Sequence, residues 1–373
     1  MIYLISNQTQ IENFSNIKST TLLEMFDYFI KKDSIDISID TETEGFDPHT
    51  NDLICIQIGD KDDQFVIDTN VKGWVPYIKA LLESPTKTIL MHNAKFDLRF
   101  LYKYGIYPVN IYDTFLAECI LTTGYTDKER DVSLKGVALD RLDVYLPKEI
   151  RGVIHREGLT PRVIEYAAKD IEYLGDIKKN QLKELYEHKL DTILALENQV
   201  VKVFAKMEYH GVPINTHKWK EVANRVIQEK NNVENKLDEI IYNLGTKNLP
   251  ERNSLTKYCK LYKQGSLFED IITRDRKTYI NWSSNQQKLK VLTQEFKIDI
   301  KSVDDKTLRK VKDKHPLVPL LLEYSKLAKL ESSFGMDFLK LINSVTGRVH
   351  PEYWQILSTG RISVSNPKYV GAC

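Results

Sequence analysis

Asp40 and Glu42 stand two apart at the end of the stretch Ile35-Asp-Ile-Ser-Ile-Asp-Thr-Glu-Thr-Glu-Gly-Phe-Asp47. On an extended strand, residues two apart leave on the same side. The two carboxylates therefore project together and repel each other unless a cation lies between them. Their chemistry is that of a platform for a hard divalent metal, which prefers oxygen ligands. Taken alone, the pair equally describes a solvated strand end with ordinary turn acids. Ile35, Ile37 and Ile39 alternate with Asp36, Ser38 and Asp40, which predicts a strand with one face in a core.

Two later stretches supply more oxygen. In Leu90-Met-His-Asn-Ala-Lys-Phe-Asp-Leu-Arg-Phe-Leu101 an apolar strand reaches His92-Asn93, and a helix begins near Ala94. Phe96, Phe100 and Leu101 face a core at helical spacing, and Asp97 projects from the first turn. In Thr160-Pro-Arg-Val-Ile-Glu-Tyr-Ala-Ala-Lys-Asp170, Thr160 reads as an N-cap with Pro161 at the first helical position. Tyr166 and Asp170, four apart, share one helix face. His92 and His155 read as surface or packing residues, because hard metals prefer oxygen.

Asp40, Glu42, Asp97 and Asp170, with Tyr166, resemble in order and local context the DEDD superfamily of 3′–5′ exonucleases. In that superfamily four acids hold two divalent metals. A tyrosine four residues before the last aspartate marks the tyrosine subclass; the histidine subclass has a His one position earlier, where this chain has Glu165. The resemblance implies an α/β, ribonuclease-H-like domain with a mixed sheet flanked by helices. The hydrophobic pattern agrees. Leu53 to Gly59 and Gln64 to Asp68 read as strands joined by a hairpin at Lys61-Asp-Asp, and Thr86 to Met91 as the next. Helices are predicted over Val75–Leu82, Ala94–Tyr104, Thr114–Leu121 and Ser133–Tyr145, with Thr160 to about His188 the longest.

A chain of 373 residues with 42% hydrophobic and 28% charged residues has room for two or three domains with cores. No apolar run is long enough to span a membrane, and Met1 to Asn13 lacks the form of a signal peptide. The four cysteines, Cys55, Cys119, Cys259 and Cys373, lie far apart, which fits a reducing compartment and neither a zinc site nor a disulfide framework. Net charge is +1, unevenly spread. Residues 1–190 carry 23 Lys and Arg against 31 Asp and Glu, and residues 191–373 carry 30 against 21. An acidic front half fits a metal-binding nuclease, and a basic rear half fits a surface for nucleic-acid backbone.

The second half reads as helical. A helix from Leu190 to Tyr209 stops at His210-Gly211, and a long one from Lys218 to Leu244 is ended by Gly245. Residues 246–280 read as irregular and basic, with Arg274, Arg276 and Lys277 grouped. Asn281-Trp-Ser-Ser-Asn-Gln-Gln caps a helix through Phe296; Asp304 to Lys314 is a short helix, and His315-Pro316 opens another to Ile342.

This order is similar to the family A DNA polymerases. Leu196 to Asn215 resembles their first thumb helix and the turn after it, and Asn281 to Leu292 resembles an Asn-x-x-Ser-x-x-Gln-Leu segment. Lys314 to Leu330 resembles the helix entering the palm. Thr346-Gly-Arg-Val-His350 and Thr359-Gly-Arg-Ile-Ser-Val-Ser-Asn-Pro367 resemble strands that contact template-primer. The implied division is an exonuclease domain over 1–189, a mainly helical thumb-like region over 190–345, and the start of a palm with a short β segment over 346–373. Beyond Pro367 the resemblance breaks: the palm aspartates and the fingers are not in these residues. The polypeptide is therefore expected not to polymerise DNA by itself, and a separate or missing palm-and-fingers polypeptide is its expected partner.

The implied reaction is two-metal hydrolysis of a terminal phosphodiester, with two Mg²⁺ as residents and Mn²⁺ as substitute. Asp40, Glu42 and Asp170 would hold the metal that carries the attacking water. Asp40 would bridge to the second, with Asp97 on it or just outside. Tyr166 would orient the water, since a tyrosine's ordinary pKa near 10 makes it a poor base. Phe46 either packs on the terminal base or lids the core, and Asn93 either bonds substrate or caps its helix. Arg348 and Arg361 would meet phosphates or minor-groove edges. The implied substrates are single-stranded DNA 3′ ends and template-primer DNA, in the cytoplasm. Two other readings stay open: a ribonuclease-D-like RNA exonuclease, and a non-catalytic nucleic-acid-binding or assembly module.

Overall fold

The protein is described here from a computed structural model that covers residues 1–7, 16–32, 35–124, 131–146, 154–246, 254–259, 278–357 and 359–367. The Arg274–Lys277 cluster, the basic stretch around it, the side chain of His155 and the last six residues lie outside that description. The chain packs as two compact units, Met1–Pro213 with Asn343–Cys373, and Ile214–Ile342.

The first unit is built on a seven-stranded sheet. Its strands are β1 (Ile2–Ile5), β2 (Ile17–Ser19), β3 (Asp36–Thr43), β4 (Leu53–Gly59), β5 (Gln64–Asp68), β6 (Thr88–Met91) and β7 (Ile111–Asp113). They lie in the order β2-β1-β5-β4-β3-β6-β7. β4 runs antiparallel to both β5 and β3, while β3, β6 and β7 are parallel. The β5-β4-β3-β6-β7 portion is the mixed ribonuclease-H-like arrangement, and the predicted hairpin joins β4 to β5.

Helices α1 (Leu22–Lys31), α2 (Trp74–Leu82), α3 (Ala94–Lys103), α4 (Thr114–Leu121), α5 (Leu134–Leu142), α6 (Ile154–Glu157), α7 (Pro161–Glu172), α8 (Leu174–Glu187) and α9 (Asp191–His210) complete the unit. Strand parity sorts them onto two faces. Ile56, Ile58, Phe65 and Ile67 join a core with Met25 and Phe29 of α1, Ile78 of α2 and Leu98 of α3. Cys55 and Val66, of the opposite parity, pack with Val163, Ile164 and Ala168 of α7.

β3 has the one core face expected, and its other face is covered as well. Ile37, Ser38 and Ile39 are all buried, because β3 lies inside the sheet with helices on both sides. Ile35, outside the strand, is exposed. The helix expected from Thr160 to His188 is two, broken at Tyr173. Thr160 has N-cap backbone angles, but its hydroxyl makes no capping bond.

The second unit is helical: α10 (Thr216–Thr246), α11 (Asn285–Lys290), α12 (Asp305–Lys310) and α13 (Leu317–Phe334). Gly245 lies within α10 rather than ending it; a Cβ there would meet Cys259 Sγ at 2.5 Å, so the glycine serves close packing. α11 passes into a π-turn, Val291–Glu295. α13 stops at Gly335 and is followed by a 3₁₀ turn, Met336–Leu341, instead of continuing to Ile342. Trp282 is fully buried in this core, and its indole N–H donates to Asp238 at 2.7 Å.

After the second unit the chain returns through short strands β9 (Arg348–Val349), β10 (Glu352–Trp354) and β11 (Ser363–Ser365). β9 pairs with β8 (Val212–Pro213), and β10 with β11, both antiparallel. Among the described residues, no helix is long and apolar enough to cross a membrane.

Gly59 closes β4 beneath α7, where a Cβ would lie 2.6 Å from the Asp63 carbonyl oxygen and 3.0 Å from Ile171 Cδ1. Gly59→Ala is expected to destabilise by about 1–3 kcal/mol. Urea unfolding reads this as a lower midpoint, and an unchanged midpoint would contradict the packing described.

Candidate active site

The pleat of β3 distributes the site. Across the antiparallel ladder Asp40 lies opposite Gln57 and Glu42 opposite Cys55, so both acids share the face on which α7 packs. Asp170, near the end of α7, meets them there. One carboxylate oxygen from each of Asp40, Glu42 and Asp170 lies within 4.8 Å of the others, and all three residues are half-buried. Tyr166 sits one helical turn earlier on α7, also half-buried. A register shift between Glu42 and Thr43 marks the end of the β3–β4 ladder beside the acids.

Thr41 points to the opposite face, towards α3. Its hydroxyl donates to Asp97 Oδ1 at 2.5 Å. Asp97 is 2% exposed, and burial together with the charge of Asp40 holds its carboxyl well above the usual carboxylate range. The fourth acid thus approaches from the other side of the strand and adjoins the trio without being one of the three clustered carboxylates. Three clustered carboxylates and a fourth that is electrostatically disfavoured form an all-oxygen set of the kind a hard divalent cation satisfies.

Asp113 fixes the corner from which Asp97 projects. It is 1% exposed and accepts the backbone N–H groups of Asn93, Ala94 and Phe115, each at 2.9 Å. Two of these belong to the start of α3, which otherwise lacks acceptors; the third caps α4. Burial pushes its carboxyl up to about 6. Further along α3, Lys95 and Arg99 flank Asp97 and converge on Glu208 of α9, at 2.5 and 3.3 Å. Glu208 also accepts the Tyr353 backbone N–H at 2.7 Å, and Lys95 donates to the Tyr353 carbonyl. The helix that carries Asp97 is thereby tied to α9 and to β10.

The remaining expected residues fall as follows. Phe46 is 84% exposed and meets Phe96 edge-on at 6.4 Å, so it does not lid the core. Asn93 is exposed, at a left-handed φ of 67°, and its side chain does not cap α3. Beside it opens a pocket of about 230 Å³ walled by Phe96, Phe115, Tyr353 and Trp354. His92 packs against Phe115 and bonds Thr114 at 2.9 Å, a positioning role. Arg348 is half-buried and donates to the Gly211 carbonyl at 3.4 Å, whereas Arg361 is exposed. Thr41, Asp113, Glu208, Lys95 and Arg99 were not singled out in the sequence. Asp113 before Thr114-Phe115 carries an N-cap signal that marks it, and Glu208 is an acid on the buried face of an apolar helix.

Residues 14–186 match a 3′–5′ exonuclease family, and residues 256–369 match DNA polymerase family A. DNA polymerase I of Aquifex aeolicus is 27% identical over 354 residues, covering 88% of this chain and 53% of that protein. Over both matched regions the chain is similar to the family A DNA polymerases. DNA polymerase I of Borreliella burgdorferi is 28% identical over 97% of this chain and 38% of its own length. The chain thus spans about half, or less, of the length of these relatives. The fold agrees with the POL domain of Pol1 from M. smegmatis, solved in complex with DNA primer-template and dNTP. That chain is 17% identical with a TM-score of 0.70, over 98% of this chain and 55% of its own. The first compact unit therefore carries a 3′–5′ exonuclease domain, a domain type that uses divalent metal.

Asp113 titrates between an unfolded value near 4 and a folded value of about 6. Over that window the unfolded chain releases the proton first, so wild-type stability falls as pH rises from about 4 to 6. Asp113→Asn, which cannot ionise, is expected to lack this fall. Urea unfolding at pH 4, 5, 6 and 7 checks it: the wild type should lose ground to the variant up to pH 6 and then level off.

Proposed function

We propose that this chain removes nucleotides from the 3′ end of DNA by metal-dependent hydrolysis, as the proofreading portion of a replicative family A polymerase. The observation that carries the reading is the cluster of Asp40, Glu42 and Asp170 within 4.8 Å, with Asp97 adjoining through Thr41 and the charge of Asp40.

In this reading Asp40, Glu42, Asp97 and Asp170 hold two Mg²⁺ ions, for which Mn²⁺ can substitute. When bound, the ions supply Lewis-acid stabilisation of charge on the attacking and leaving oxygens. The protein's own part is to hold four carboxylates at fixed positions from both faces of β3. Tyr166, one turn from Asp170, orients the attacking water by hydrogen bonding. Phe46, exposed beside the acids, packs on the terminal base, and Asn93 bonds the strand end. Arg348 and Arg361 contact phosphates of template-primer DNA. The functional division is an exonuclease domain over 1–189, a thumb-like region over 190–345 and the start of a palm over 346–373. Primer extension needs palm and fingers from more polypeptide than these residues, working where the DNA lies, in the cytoplasm.

Asp40→Ala is expected to abolish exonuclease activity, with circular dichroism and DNA binding retained, because the residue feels both its clustered neighbours and Asp97. Tyr166→Phe is expected to lose less. Hydrolysis of a labelled single-stranded oligonucleotide measures both, and equal rates in wild type and Asp40→Ala would sink the assignment.

The wild type is also expected to digest unpaired or frayed 3′ ends faster than a paired blunt end, since a terminal nucleotide must leave its stack to reach the acids. Equal rates on the two ends would argue against a proofreading role.

A further inference from the structure

The unit Ile214–Ile342 carries a concavity of about 410 Å³ bounded by α11, the start of α12 and α13. Lys288 lines it from α11 and is only 5% exposed. Leu292, four residues on, is fully buried, so Lys288 occupies a position on the apolar side of this segment. Among the described residues its ammonium meets no carboxylate, and burial pushes its amine below the ordinary lysine range. Ser325 on α13 also lines the concavity, and its hydroxyl oxygen is buried without a partner. Beside it the Ser283 and Tyr324 hydroxyls lie 3.0 Å apart. Ser325, Ala328 and Ser332 follow one face of α13, and their small side chains leave the space open.

Two acids on the rim do not neutralise the lysine. Asp304 accepts from the Thr307 backbone N–H at 2.8 Å and the Thr307 hydroxyl at 3.0 Å, capping α12. Asp305 pairs with Arg309 at 2.6 Å. A partly desolvated ammonium without an anion is costly, and so is a buried hydroxyl without an acceptor or donor. Lys288 and three hydroxyl residues line one space, and because one hydroxyl proton is shared between Ser283 and Tyr324, the ammonium, the Ser325 hydroxyl and one further hydroxyl remain to engage an anion. They match a tetrahedral anion with three free oxygens.

We propose that this concavity binds a phosphate monoester, with Lys288 as the buried counter-ion and the Ser325 hydroxyl and one of the Ser283 and Tyr324 hydroxyls as hydrogen-bonding partners. Its size leaves room for the esterified alcohol. The phosphate comes either from a free mononucleotide or from the phosphorylated end of a DNA strand. The site belongs to the other compact unit from the clustered acids and does not depend on the exonuclease reading.

Isothermal titration calorimetry of the full chain in EDTA tests it, because chelation keeps the acids around Asp40 from holding a nucleotide through metal. The probes are inorganic phosphate, dAMP, and one oligonucleotide with and without a 5′-phosphate. Inorganic phosphate and dAMP are expected to bind the wild type and Asp40→Ala alike. Lys288→Met should weaken both by about tenfold or more, and Ser325→Ala by a smaller factor. Binding of dAMP at least as tight as that of the phosphorylated oligonucleotide identifies the free nucleotide as the source. A clear preference for the phosphorylated oligonucleotide over both its unphosphorylated twin and dAMP identifies the strand end. Without ligand, Lys288→Met should melt at or above the wild-type temperature, because it removes an unpaired buried charge. Absence of phosphate binding, equal affinity in wild type and both variants, or a marked fall in the melting temperature of Lys288→Met would each overturn the proposal.

Discussion

Repulsion between carboxylates is the constraint on which this protein's first unit depends. Asp40, Glu42 and Asp170 present oxygens within 4.8 Å of one another. At an effective dielectric of about 20, each charged pair at that distance opposes folding by roughly 3 kcal/mol. No helix or strand would keep them there on its own account. They stay because β3 is an inner strand with cores on both sides, and because Val163, Ile164 and Ala168 press α7 against it. The apolar burial is large and undirected; the pleat converts it into direction. Even-numbered residues of β3 face α7, and Thr41 faces α3. A single strand thereby serves acids that come from two sides.

The same logic explains the buried charges around α3. A helix that carries a disfavoured acid in its first turn needs its own position secured. Asp113 takes the N–H groups at its start, and Glu208 gathers Lys95 and Arg99, which lie either side of Asp97. These contacts satisfy donors that burial would otherwise leave costly. They hold the Asp97 corner by polar bonds where the rest of the unit is held by packing.

Much of this was legible in the sequence, and the reasons differ by feature. The strand ending in Asp40 and Glu42, the hairpin through Lys61, and the helix carrying Tyr166 and Asp170 are encoded by local periodicity and turn residues, so their types could be read directly. The approach of Asp97 from the opposite face could not, because it depends on which side of the sheet each helix takes. The burial of Ser38 was hidden for the same reason: alternation predicts one dry face, but an inner strand has two. Gly245 read as a helix end because glycine commonly ends helices. Here tertiary packing against Cys259 requires the missing side chain instead. The break at Tyr173 is announced only by Gly175 two residues on, which alone does not distinguish a break from a glycine tolerated inside a helix. Lys288, an ordinary surface residue by type, is unusual only once its burial is known.

The pairing of β8 with β9 has a consequence for how the gene can vary. Val212 lies opposite Val349 and Pro213 opposite Arg348, so the chain leaves the first unit and re-enters it at neighbouring points of one short ladder. The residues between are, in topological terms, an insertion whose two ends are stapled by backbone hydrogen bonds belonging to the host. Such an insertion can lengthen, shorten or be exchanged in evolution without shifting the register of the sheet that carries the acids. It also gives synthesis a definite order. The strands and helices up to His210 are complete before the inserted residues exist. The ladder and the Glu208 contact with Tyr353 can close only after more than a hundred further residues have left the ribosome.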